Sequence, residues 1–137
     1  MKWYLKVVRD NYANFNGRAR RQEYWMFVLF NAIFIIAIAT ISGGIASATD
    51  TPALFGLYAI YTLGVFIPSL AVGVRRLHDV GKSGWFYLIG LIPFIGGIWL
   101  FVLFVTEGDK GPNQYGPDPK IENSLEIDEI GKPQVEA

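Results

Sequence analysis

The stretch YWMFVLFNAIFIIAIATISGGIASAT, residues 24–49, decides the fold, because it runs for 26 residues without one charged side chain. Crossing a hydrocarbon core of about 30 Å takes roughly 20 apolar helical residues at about 1.5 Å each. Two more stretches meet that length without a charge, residues 51–74 and 85–106. The chain is 52% hydrophobic and 18% charged, too little polar sequence to cover three all-apolar helices in a soluble fold. The reading is an all-α membrane protein: a three-span helical bundle with spans at about 25–45, 53–74 and 85–105. A cleaved leader fits poorly, since 23 polar and aromatic residues precede the first apolar run.

Around these spans the charges are unevenly placed. Residues 1–23 hold Lys2, Lys6, Arg9, Arg18, Arg20 and Arg21 against Asp10 and Glu23. The second connection adds Arg75, Arg76 and Lys82, the first has no Lys or Arg, and residues 107–137 are acidic. Cytoplasmic segments carry the excess of Lys and Arg. The N-terminus and the 75–84 loop are therefore expected inside, and the C-terminus outside if all three spans cross fully. Pro93 and Gly96-Gly97 interrupt the third stretch. A kinked single helix is the expected form there, with a re-entrant hairpin, which would return the tail inside, as the alternative.

The first fourteen residues alternate Trp3, Tyr4, Val7, Val8 and Tyr12 with charged neighbours, the pattern of an amphipathic helix at the headgroup level or packed on the bundle's own end. Asn16 is a candidate N-cap for the first span. Ala39, Gly43 and Ser47 form a small-residue stripe, and Pro68 should kink the second span. Residues 1–119 make the membrane domain; 120–137 form an acidic tail poor in aromatics, expected to be disordered.

The candidate site is the interfacial cluster Arg18, Arg20, Arg21, Arg75, Arg76, His78, Asp79 and Lys82. If the second helix continues past Val74, Arg75, His78 and Asp79 share a face, with Asp79 and Glu23 as ion-pair partners for the arginines. Such a cluster suits anionic phospholipid headgroups, at about 1 kcal/mol per basic residue near the surface; fixing topology or helix ends is the plainer role. Catalysis by His78 and Asp79 would need a nucleophile and an oxyanion hole, and no nucleophile elbow is present. With no cysteine and one histidine, no metal site and no cofactor is expected. The spans carry no ionisable group, which argues against a self-contained ion-coupled transporter.

Three segments carry a resemblance. Residues 15–25, FNGRARRQEYW, are similar to the opening motif of the bacterial domain of unknown function 805 family. Residues 75–85, RRLHDVGKSGW, resemble its central motif, and Gly108, Gly111, Asn113, Tyr115, Gly116, Asp118 and Pro119 match its closing loop. The resemblance covers about residues 3–119. It implies a small multi-span inner-membrane protein and no particular activity. The functional expectation is a non-enzymatic scaffold or accessory protein that contacts lipid headgroups or a partner. The partners expected are the bilayer itself and a homo-oligomer or another membrane protein, with no nucleic acid. A small oligomeric channel or transporter is the first alternative, and an enzyme on a lipid-linked substrate the second.

Overall fold

A computed structural model describes residues 2–120; the tail beyond residue 120 lies outside the described residues. Among the described residues the structure is helical, with no strand and one isolated bridge, Asn113 to Gly116. The elements are α1 (Lys2–Leu5), continued by a π-helical turn (Lys6–Asp10), α2 (Arg21–Thr49), α3 (Phe55–Asp79), a 3-10 helix (Gly84–Leu91) and α4 (Ile95–Val105). Arg21–Thr49 and Pro52–Asp79 are each long and apolar enough to cross a membrane, and α4 is shorter. The chain forms two compact units, one from Met1–Phe15 and Gln22–Val72, the other from Asn16–Arg21 and from Gly73 onward.

In the first unit the N-terminal segment docks by its apolar side. Tyr4 stacks on Phe27 with centroids 5.6 Å apart and meets Phe34 edge-on at 5.1 Å. Its hydroxyl pairs with that of Tyr61 at 2.8 Å, and Tyr61 donates to Asn31 Oδ1 at 2.9 Å. Val7 is fully buried, and Lys6 lies 3.4 Å from the buried Glu23 carboxylate. The helix is shorter than the fourteen-residue alternation suggests, ending at Asp10 with a turn from Asn11 to Asn14. Phe27, Phe34 and Tyr61 give Tyr4 a protein surface to cover.

Pro68 sits inside α3 without ending it. Proline has no N–H, so the Gly64 carbonyl one turn earlier loses its helical donor. The Tyr12 hydroxyl donates to that carbonyl at 2.7 Å, so the N-terminal segment satisfies the group that Pro68 frees.

The second unit corrects two expectations. First, α2 starts at Arg21, so Asn16 is not its N-cap; Gly17 turns the chain at φ +88° and Ala19 N–H donates to Arg75 O at 3.0 Å. Second, 85–105 is not one helix. Pro93 holds Ile92 extended (ψ 119°), and Phe94 adopts φ 66°, ψ −55°, with Ile95 N–H on Pro93 O at 2.8 Å. That is a γ-turn of the rare, strained kind. It reverses the chain instead of kinking it. Tyr87 returns to Phe104, with ring centroids 6.0 Å apart, Gly90 lies against Leu100, and Gly96 lies so close to the Ile89 carbonyl that a side chain has no room. The two helical arms form an antiparallel hairpin.

Candidate functional site

The last turn of α3 brings Arg75, Arg76, His78 and Asp79 to one end of the second unit, as continuation of the helix past Val74 implies. Arg76 and Asp79, three residues apart, pair through Nη1 and Oδ2 at 2.5 Å. From the opposite side Arg18 donates through Nε to Asp79 Oδ1 at 3.0 Å. The side chains of Arg18, Asp79 and Arg76 are 1%, 3% and 0% exposed, so the ion triad is dry.

The remaining guanidinium N–H groups clamp carbonyls. Arg18 Nη1 donates to Gly111 O at 2.7 Å and Nη2 to Asp109 O at 2.5 Å, both in the loop after α4. Arg76 donates through Nε to Phe104 O at 3.1 Å, through Nη1 to Ala19 O at 3.4 Å and through Nη2 to Thr106 O. Arginine suits this task because five donors in a fixed fork reach several acceptors at once. Asp109 N–H donates to Asp79 O at 2.7 Å, which extends the last turn of α3 into the closing loop. Gly108 presses on the Asp79 carboxylate where any Cβ would collide.

The closing loop holds itself in shape. Asp118 accepts the amides of Gly111 and Lys120 at 3.0 and 2.9 Å. Asn113 donates to His78 O at 2.9 Å, and its Oδ1 accepts Tyr115 N–H at 2.8 Å. The His78 ring stacks flat on Tyr115, centroids 4.0 Å apart, and Nδ1 lies 2.9 Å from Gly17 O. A carbonyl only accepts, so this nitrogen carries the proton.

Each buried ion of the triad carries a desolvation cost that its partner offsets, as expected of a buried ion network. Desolvation would raise the Asp118 carboxyl, but the amides of Gly111 and Lys120 hold it below its usual value.

The residues singled out from the sequence therefore divide. Arg18, Arg75, Arg76 and Asp79 are buried, Arg20 and His78 are half-buried, and Arg21 and Lys82 are exposed. Arg21 donates to Val105 O at 3.2 Å, and Lys82 lies over the Phe86 ring at 5.6 Å. Asp79 is the partner of two arginines; Glu23, the other acid expected to pair with them, lies beside Lys6. Ser83 caps the 3-10 helix, accepting Trp85 N–H at 3.3 Å. Asp109 was not singled out, and Asn113 and Asp118 entered only through the closing-loop resemblance, though the glycines and prolines around them marked a turn. Among the described residues no three of His, Asp or Glu converge as metal ligands.

The family model described as "Protein of unknown function (DUF805)" matches residues 12–117. The chain is similar to inner membrane protein YhaI of Escherichia coli K12, 48% identical over 121 residues, covering 88% of this chain and 98% of the relative. It is also similar to inner membrane protein YhaH of the same strain, 46% identical over 124 residues, covering 89% and 99%. A more distant relative there, uncharacterized protein YiiR, is 24% identical over 130 residues, covering 77% and 85%. No solved structure matches.

Proposed function

The chain belongs to the DUF805 family, and from that premise we propose that it is a non-enzymatic scaffold or accessory protein of the bacterial inner membrane. In this reading α2 and α3 span the bilayer, with the N-terminus and the loop after Asp79 in the cytoplasm, because the basic residues gather at that end. The observation that carries it is the employment of the polar cluster. Both Asp79 oxygens are taken by Arg18 and Arg76, and those arginines are further engaged by loop carbonyls. A group so occupied holds structure and is not presented to a substrate. Contact with anionic headgroups falls to the exposed cations Arg21 and Lys82.

The test is native mass spectrometry of protein released from nanodiscs of mixed neutral and anionic phospholipid. Arg21→Ala with Lys82→Ala should lose most anionic-lipid adducts, whereas the wild type keeps them. Equal retention by both proteins would refute the headgroup role. Turnover of a lipid-linked substrate that His78→Ala abolishes would refute the non-enzymatic reading.

A further inference from the structure

The geometry points to a re-entrant hairpin, Gly84–Val105, that enters the membrane from the cytoplasmic side and returns to it. The closing loop then lies in the cytoplasm. The inference rests on the membrane reading above and replaces the outward C-terminus expected from three full spans.

Both ends of the hairpin meet the same stretch of α3. At the start, Gly84 lies against Val74 and Tyr87 against Gly73. At the end, Phe104 O and Thr106 O accept from Arg76, and Asp109 N–H donates to Asp79 O. A helix that crossed the bilayer would separate its ends by about 30 Å, so they could not share two adjacent turns of a neighbour. The arms have half that reach. Eight residues of 3-10 helix at about 2.0 Å and eleven of α-helix at about 1.5 Å each give roughly 16 Å.

The hairpin's exposed surface suits lipid. Phe94, Leu91 and Trp85 are 90%, 79% and 79% exposed, and no charged residue occurs from 85 to 106. A backbone polar group left unpaired in lipid is costly. Here Ile92, Ile95 and Gly96 donate to Ile89 O, Pro93 O and Ile92 O at 3.0, 2.8 and 3.1 Å, and Pro93 has no N–H to satisfy.

Charge distribution agrees independently. The hairpin topology puts Lys110 and Lys120 on the same side as the nine earlier Lys and Arg, whereas a third full span would strand those two on the other. Outside, only the short connection around Thr51 remains.

The chain has no cysteine, so single-cysteine variants need no background changes. Thr51→Cys, Lys82→Cys, Lys110→Cys and Phe94→Cys would be treated with a membrane-impermeant maleimide in spheroplasts and in inside-out vesicles. Thr51→Cys should react only in spheroplasts, and Lys82→Cys and Lys110→Cys only in inside-out vesicles. Phe94→Cys, with Leu91→Cys as a second tip position, should react in neither and become reactive after detergent denaturation. If Lys110→Cys reacts with Thr51→Cys from outside, the hairpin is wrong while the two spans stand. If the tip reacts in inside-out vesicles, the segment lies on the surface and re-entry is wrong. If Thr51→Cys and Lys82→Cys react from one side, the spanning reading itself fails, and this inference with it.

Discussion

Replacing Asp79 by Asn removes one charge from the triad and little volume. Two guanidinium groups, 1% and 0% exposed, then face each other across a neutral amide. Breaking a buried pair by removing one partner costs about 3–5 kcal/mol, because the ion left behind stays desolvated. Here the remaining ions keep other acceptors, Asp109 O and Gly111 O for Arg18, and Phe104 O, Ala19 O and Thr106 O for Arg76. Hydrogen bonds to charged groups contribute about 1.5–3 kcal/mol each, so the low end applies, about 3 kcal/mol, or roughly a hundredfold in the unfolding equilibrium. The assay is reversible unfolding in mixed micelles, followed by tryptophan fluorescence as denaturing detergent is titrated. Adding Arg18→Met to Asp79→Asn should recover part of the loss, since one orphaned cation is gone; the cycle should show coupling above about 1 kcal/mol. A loss under about 0.5 kcal/mol for Asp79→Asn, with additive doubles, would refute the claim that the triad holds the second unit together.

Three further outcomes are expected. Gly96→Ala forces a Cβ into the Ile89 carbonyl and should destabilise by more than about 2 kcal/mol, while Gly97→Ala, with nothing nearby, should stay within about 0.5 kcal/mol in the same titration. Tyr12→Phe should cost about 0.5–1 kcal/mol by freeing Gly64 O, and the cost should vanish in a Pro68→Ala background, where residue 68 supplies its own N–H. The depressed Asp118 carboxyl contributes stability that is present above the unfolded value of about 3.9 and lost as pH falls through the lower folded value. Amide exchange at Gly111 should accelerate over that acid window and show no such step in Asp118→Asn.

Sequence alone made the long helices legible, because absence of charge over 26 residues has few physical explanations. It also placed Arg75 and Asp79 together, since helical spacing is local. Chain reversal at Pro93 was legible only as the alternative to a kinked helix. A run of about 20 apolar residues fits one full crossing or two half-length arms equally well. Pro93 and Gly96 mark a break either way; what decides is the Phe94 backbone and the close approach of Gly96 to Ile89, both tertiary facts. The pairing of Arg18 with Asp79 spans 61 residues and has no local signature. Asn16 read as a cap because its type and position fit, but Arg18 and Ala19 bind the end of α3, and those contacts keep the segment out of the helix.

Arg18 reaches a carbonyl 93 positions later in the chain, so its contacts are completed only once the residues beyond α4 have been made. While α3 is being synthesised, Arg18 and Arg76 have Asp79 and the Ala19 carbonyl, and the acceptors at Asp109 and Gly111 do not yet exist. A nascent chain stopped before that loop therefore carries two underprovided cations.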